Sequence, residues 1–236
     1  MVLGARTKDN KGSLLIYESN DLNSFKLYSE ESFNDLGYML ECPDIIYFND
    51  RIAYSFSPQG VKEEENRFKN IFSSGYTLDK ITKENYKEWD LGYDFYAPQS
   101  FVDSKGRRIL LGWAGLDDNK LEYEYPVFNE NFRHSLTLPR ELKLINDRIY
   151  QYPIKEILDL FDSSNKLIVK LNQNGYGRKE RSYDIDIKNV HIFNDVSITE
   201  FYINNGEYVF TTRSFSNNRG FKANKEVKYK VFKEKL

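Results

Sequence analysis

Short runs of apolar, aromatic and β-branched residues, separated by turns, recur along the first half of the sequence. In one hairpin pattern, residues 44–56, two apolar runs flank the turn Asn49-Asp50-Arg51. A second pattern covers residues 99–113 around the turn Asp103-Ser104-Lys105-Gly106. Because aromatic and β-branched residues favour strands, two such runs joined by a short polar turn predict a hairpin of antiparallel strands. We therefore expect an all-β fold.

The two hairpin patterns are placed like copies of a repeat. Pro43 and Pro98 precede them at matching positions, 55 residues apart. Sequential strands that repeat roughly every 40–50 residues are typical of β-propeller blades. Residues 13–17 predict an earlier strand after the polar turn 9–12. The segment Met1–Arg6 is too short to be a signal peptide and is expected to be a strand of a blade that begins before it.

The second half of the chain has a different pattern. Residues 154–161 have apolar side chains at helical spacing and predict a short linking helix. Asn204-Asn205-Gly206 is a strong hairpin turn, and the strands around it predict a small β-sandwich. Alternation predicts strands over 166–171, 182–187, 196–203 and 207–212. We expect three regions: a propeller region over residues 1–145, a linker over 146–162 and a shortened β-sandwich over 163–236.

Composition and charge exclude several classes of protein. The 236 residues carry a formal net charge of -2, which gives little attraction to nucleic acid or anionic membranes. One cysteine and two histidines exclude a disulfide framework and argue against a structural zinc site. No stretch approaches the ~18 consecutive apolar residues of a membrane span. Neither a metal nor another cofactor is expected.

Two acidic residues stand directly before the proline-led hairpins. Glu41 is flanked by Leu40 and Cys42, an environment that would raise the pKa of a carboxyl group toward the range useful to a general acid. Asp94 precedes Pro98 in a similar arrangement. Acids at equivalent positions in neighbouring blades would converge on a propeller axis. The competing interpretation is that both are ordinary polar residues at strand starts.

Several motifs around these acids resemble glycoside hydrolase family 32, which contains invertases, sucrose-6-phosphate hydrolases and fructanases. Glu41-Cys42-Pro43-Asp44 is similar to the Glu-Cys-Pro-Asp motif of that family. The motifs occur in the order of the family, from near residue 1 to about residue 215. The remaining similar segments are 57–60, 94–99, 106–113, 136–142 and 203–207.

The resemblance implies a fold and a reaction. It implies the last three blades or so of a five-bladed β-propeller followed by a β-sandwich, and hydrolysis of terminal β-fructofuranosides with retention of configuration. Glu41 matches the acid/base position, and Asp94, Tyr96 and Trp113 match positions that contact the sugar. Arg140 and Glu141 are expected to be structural. The implied partner is a β-fructoside, either sucrose or sucrose 6-phosphate.

The sequence departs from the family in three places. The Asn-Asp-Pro-Asn-Gly segment that holds the family's nucleophile and the Arg-Asp-Pro motif have no counterpart, and the sandwich is short. We therefore expect a fragment that is inactive or very weak alone, from a truncated or decaying gene or from a split enzyme completed by a separately encoded N-terminal half. One unpaired cysteine and the resemblance to bacterial enzymes predict a cytoplasmic location.

Two other functions stay open. A non-catalytic sugar-binding or scaffold protein would retain the aromatic pocket without the chemistry. An arabinan-cleaving or similar five-bladed hydrolase fits the architecture but fits residues 41–44 and 94–99 poorly.

Overall fold

The structure is a computed structural model that describes residues 1–115, 134–162, 181, 183–195, 197–213 and 230–232, the short strands 161–162 and 230–232 by backbone alone. Sixteen strands and one helix of four residues lie in these ranges. The all-β expectation is therefore confirmed. The predicted strand over 166–171 lies outside the described residues.

The chain divides into two compact units. The first contains residues 1–89 and 96–100, and the second contains residues 90–95 and 101–236. The six residues from Asp90 to Phe95 thus belong to the second unit although the chain on both sides of them belongs to the first.

Two antiparallel sheets build the first unit. One has the order β1-β2-β3 and the other the order β4-β5-β6-β7, so each strand pairs with its neighbour in sequence. The turn at residues 49–50 closes the hairpin of β4 and β5 with Asn49 at a φ of 49°. The strands are β1 (Val2–Arg6), β2 (Gly12–Glu18), β3 (Lys26–Phe33), β4 (Met39–Phe48), β5 (Arg51–Gln59), β6 (Gly75–Leu78) and β7 (Lys87–Glu88); β8 (Tyr96–Val102) also begins here.

An apolar cluster lies between these sheets and their loops. Leu40 and Phe56 are completely buried, and the Tyr86 ring packs 5.3 Å from Phe56 and 5.4 Å from Phe68. Burying an apolar side chain of this size contributes roughly 1.5–3 kcal/mol. β1 approaches β4 so closely that a Cβ at Gly4 would lie 1.6 Å from the Leu40 carbonyl oxygen. Only glycine fits there.

The second unit contains a small antiparallel sheet and one larger sheet. β9 (Arg108–Trp113), β10 (Arg140–Ile145) and β11 (Arg148–Pro153) pair antiparallel in that order. The larger sheet has the order β12-β16-β13-β14-β15, in which β13 and β16 are parallel. Its strands are β12 (Phe161–Asp162), β13 (Val190–Asn194), β14 (Ile198–Ile203), β15 (Tyr208–Arg213) and β16 (Lys230–Phe232).

A fully buried arginine connects the strands of the second unit. Arg140 on β10 is 0% exposed and forms ion pairs with Asp90 at 3.1 Å and with Glu200 at 2.7 Å. Its guanidinium also donates hydrogen bonds to Tyr202, Gln151 and Thr211. Burial raises the pKa of Asp90, although Arg140 opposes that shift. The structural role expected for Arg140 agrees with these contacts.

Two predictions of local structure differ from what the structure shows. The predicted helix 154–161 is one turn, α1 (Lys155–Leu158), because its N-cap Ile154 makes no side-chain hydrogen bond and none of its residues is buried. Residues 183–187, predicted to be a strand, do not form one. The Asn204 side chain takes the place of a neighbouring strand there: its Nδ2 donates to the Asp186 carbonyl, and its Oδ1 accepts from the Lys188 N–H.

The hairpin turn in the second unit is confirmed. Asn204, Asn205 and Gly206 all have positive φ, at 53°, 58° and 93°. Asparagine and glycine tolerate this conformation better than other residues. The turn therefore joins β14 and β15 as the sequence predicts.

Candidate active site

Glu41 lies at an irregularity in its strand. β4 and β5 pair Glu41 with Ser57 and Asp44 with Ser55, so three steps along β4 match two steps along β5. One extra residue in one strand is a β-bulge. Residues directly opposite one another share a face of the sheet, so the bulge puts Glu41 and Asp44 on the same face. In a regular strand, residues three apart would point to opposite faces.

The hydrogen-bond partner of Glu41 is a tyrosine. The Tyr96 hydroxyl donates to Glu41 Oε2 at 2.7 Å. Tyr96 is 5% exposed, and its ring lies 5.9 Å from that of Phe72. Burial first, and then the bond to Glu41, raise the pKa of Tyr96. The phenol therefore keeps its proton at physiological pH and fixes the orientation of the Glu41 carboxyl group.

Two further contacts join β8 to the bulge of β4. The Gln99 side-chain amide donates to the Cys42 carbonyl at 3.0 Å. The Ser100 N–H donates to Asp44 Oδ2 at 3.1 Å, and the Ser100 hydroxyl contacts the same oxygen. Burial, followed by the nearby Glu41 charge, raises the pKa of the Cys42 thiol. Sequence reasoning did not assign a role to Gln99 or Ser100. Gln99 ends the family-like segment 94–99, and the only signal for Ser100 was that it follows Pro98 in the second copy of the repeat.

Asp94 belongs to the second unit and is completely buried. Its Oδ2 accepts a hydrogen bond from the Arg213 N–H at 2.8 Å and a long one from the Thr212 hydroxyl at 3.4 Å. These contacts hold the 90–95 segment against β15. The expected sugar contact by Asp94 stays a prediction.

Trp113 ends β9, also in the second unit. Its ring meets the ring of His134 edge-on, with centroids 5.3 Å apart. The indole Nε1 is buried and has no hydrogen-bond acceptor within the described ranges. A Cβ at Gly115 would lie 2.4 Å from the indole, so a glycine is required beside this ring. The Arg213 guanidinium donates to the carbonyl of Ala114, and the Arg213 backbone N–H donates to Asp94. Arg213 therefore contacts both the segment that contains Asp94 and the segment that follows Trp113.

The geometry brings Glu41 and Tyr96 together and places Asp94 and Trp113 in the other unit. A carboxyl group held by a phenol at a strand bulge is suited to proton transfer, the work of a general acid and base. Among the described residues, no group of three or more His, Cys, Asp and Glu side chains is arranged to hold a metal ion. The described residues contain no helix that is long and apolar enough to cross a membrane.

Comparison with known proteins identifies the class. The family model for the N-terminal domain of glycosyl hydrolases family 32 matches residues 1–153, and the model for the C-terminal domain matches residues 147–235. The chain is thus a glycoside hydrolase by descent, with a β-rich propeller and sandwich fold. It belongs to glycosyl hydrolase family 32.

Individual relatives agree with this assignment. Sucrose-6-phosphate hydrolase of Vibrio alginolyticus is 40% identical over 172 residues, which cover 68% of this chain and 35% of the relative. The Bacillus subtilis (strain 168) enzyme of the same name is 27% identical, and the match covers 96% of this chain and 60% of the relative. The structure of the Bombyx mori β-fructofuranosidase superposes with a TM-score of 0.73 at 25% identity, covering 92% of this chain and 58% of that one. The chain therefore spans about a third to three fifths of the length of these relatives.

Proposed function

We propose that this chain supplies the acid/base of a retaining β-fructofuranosidase site that acts on sucrose or sucrose 6-phosphate. The observation that supports it best is the 2.7 Å hydrogen bond from Tyr96 to Glu41, which orients the carboxyl group at the bulge. Relatives named sucrose-6-phosphate hydrolase, and a mutant of the Bombyx mori enzyme in complex with sucrose, support the choice of sugar.

Glu41 has two tasks in this mechanism. It first protonates the glycosidic oxygen, so that the glucose group leaves. It then removes a proton from the water that releases the fructosyl group from the nucleophile. Retaining hydrolysis requires two carboxyl groups about 5–5.5 Å apart. The sequence contains no Asn-Asp-Pro-Asn-Gly segment to supply the second one.

We infer that the isolated chain is a very weak hydrolase. A positioned general acid alone contributes typically 10²–10⁴-fold, and the covalent route needs a nucleophile from elsewhere. A separately made N-terminal half would supply that nucleophile. Asp94, Tyr96 and Trp113 contact the fructosyl group in the completed site. The division into a propeller region (1–145), a linker (146–162) and a sandwich (163–236) and a cytoplasmic location belong to the same proposal.

Hydrolysis assays on the purified chain test this function. We expect little release of fructose from sucrose or sucrose 6-phosphate by the chain alone. Adding a separately made N-terminal half that carries an Asn-Asp-Pro-Asn-Gly segment should increase release, and Glu41→Gln should abolish the increase. Asp50→Asn, an exposed turn residue on the same hairpin, is the matched control. Turnover by the chain alone at ordinary glycosidase rates would contradict the inference that the chain lacks a nucleophile.

A non-catalytic sugar-binding function is the second candidate. The buried Trp113 Nε1 without an acceptor among the described residues favours it, since an indole N–H can donate to a sugar hydroxyl. Sucrose should then change the tryptophan fluorescence of the parent chain but not that of Trp113→Phe. The other tryptophan, Trp89, is 1% exposed and already donates to Ser55, so it serves as an internal control. Binding without hydrolysis in the completed protein would favour this function over the first.

A further inference from the structure

Two residues inside strands have a backbone conformation that their side chains disfavour. Cys42 in β4 has a φ of 48° and Ala97 in β8 a φ of 49°. Seven of the eleven non-glycine residues with positive φ in the described ranges are asparagine or aspartate, which tolerate it. The other two, Leu22 and Phe68, lie in loops.

Both strand residues are followed by proline. Pro43 follows Cys42 and Pro98 follows Ala97. A proline pushes the residue before it toward extended backbone, so positive φ is doubly unfavourable at these two positions. Backbone of this kind persists only where the surrounding structure imposes it, and it is concentrated at functional sites. The two copies of the repeat therefore share an unusual backbone as well as a proline.

The residue before each unusual position points into the candidate site. Glu41 precedes Cys42, Tyr96 precedes Ala97, and the two side chains meet in the 2.7 Å hydrogen bond. At Cys42 the conformation coincides with the register slip that turns Glu41 and Asp44 to the same face. The Gln99 amide holds the carbonyl of Cys42 at 3.0 Å and so fixes the peptide that follows it.

We propose that Cys42 and Ala97 are positioning residues, whose positive-φ backbones direct the Glu41 carboxyl group and the Tyr96 hydroxyl toward each other. The side chains of Cys42 and Ala97 need not touch the sugar for this role. The proposal deepens the acid/base assignment of Glu41 and rests on it for its catalytic meaning. The backbone effect itself can be measured without any activity.

Substitutions at Ala97 separate the backbone effect from general packing. Glycine accepts positive φ without cost, whereas the β-branched valine strongly opposes it. Ala5 in β1 is the matched control, because it is also a half-buried strand alanine but is absent from the positive-φ residues. Glycine in an ordinary strand position destabilises. We expect Ala5→Gly to lower the thermal midpoint and Ala97→Gly to leave it unchanged or raise it.

Tyrosine labelled with ¹³C at Cζ reports the position of the Tyr96 hydroxyl, and the Tyr96→Phe variant identifies its resonance. At pH 7 we expect the chemical shift of the Tyr96 signal to be the same in the parent, Ala97→Gly and Ala5→Val, and to change in Ala97→Val, where the hydrogen bond to Glu41 is lost. Where the completed enzyme hydrolyses sucrose, Ala97→Val should also lose about 10²-fold in kcat with KM little changed.

Two results would overturn the proposal. One is an unchanged Tyr96 chemical shift in a folded Ala97→Val variant, and the other is a lowered thermal midpoint for Ala97→Gly equal to that for Ala5→Gly. If Ala97→Val does not fold, the comparison of the two glycine variants still decides. If the completed protein shows no hydrolysis, the acid/base function fails, while the midpoints and the tyrosine chemical shift still test the positioning role separately.

Discussion

Replacing the buried Arg140 by methionine tests the ion-pair network of the second unit. The change removes the only cation within hydrogen-bond distance of Asp90 and Glu200 in the described structure, and leaves both carboxylates buried. Breaking a buried ion pair in this way costs about 3–5 kcal/mol. At roughly 2–4 °C per kcal/mol for a chain of this size, the thermal midpoint should fall by about 6–20 °C.

The loss of stability should depend on pH with a definite sign. Burial raises the pKa of Asp90 in the folded state, so the native state holds its proton more tightly than the unfolded chain. The free energy of unfolding that such a group contributes decreases as the pH rises from its unfolded-state pKa to its folded-state pKa. Removing Arg140 removes the positive charge that lowers the folded-state pKa of Asp90. The decrease in stability then continues to a higher pH. The Arg140→Met variant should therefore lose more stability at pH 8 than at pH 5.

Urea unfolding followed by circular dichroism at both pH values measures the effect. Arg148→Met on the neighbouring strand is the control, because Arg148 donates one hydrogen bond to the Glu207 carbonyl and lies over the Tyr208 ring. Its loss should cost about 1 kcal/mol at either pH. The reasoning is refuted if the two variants lose equal stability, or if the Arg140→Met effect is the same at pH 5 and pH 8.

Two more predictions concern the first unit. Leu40→Ala should cost about 2–5 kcal/mol in urea unfolding, because Leu40 is completely buried, whereas Leu22→Ala, at an 80% exposed position, should change stability by less than about 0.5 kcal/mol; similar losses would place Leu40 outside the core. Glu41→Gln should lower the raised pKa of the Cys42 thiol and speed its reaction with a disulfide reagent at pH 8, while Asp50→Asn should not. An unchanged rate would show that the Glu41 charge does not act on the thiol.

Local chemistry explains why the hairpins were predictable. Asn49, Asn204 and Asn205 take positive φ in turns where the sequence indicates them. The predicted strand over 182–187 was wrong for residues 183–187. The backbone there is bonded by the Asn204 side chain, which contacts the Asp186 carbonyl and the Lys188 N–H, and not by a neighbouring strand. No local pattern of residues 183–187 reveals a partner that lies 16 to 18 residues further along the chain.

The candidate site was predictable only to a limited extent. Glu41 was singled out as an acid before a proline-led hairpin, and Tyr96 only through the resemblance. The 55-residue spacing of the two prolines was the only internal sign that they belong together. The bulge at Cys42 depends on which residue of β5 opposes which of β4, and the sequence of one strand does not specify that. The neighbours of Asp94 are 118 and 119 residues away, so their contact follows from the fold alone.

The six residues from Asp90 to Phe95 have a practical consequence for anyone who divides this chain. They are anchored by Thr211 and Arg213, yet they lie inside the stretch matched by the N-terminal family model. A recombinant piece that stops at residue 153 would keep Asp90 and Asp94 but discard the Thr211 and Arg213 groups that hydrogen-bond to them. It would also keep Arg140 but discard Glu200, one of its two ion-pair partners. The border between the two domain models of the family is therefore a poor place to divide this chain, and no single cut releases both compact units whole.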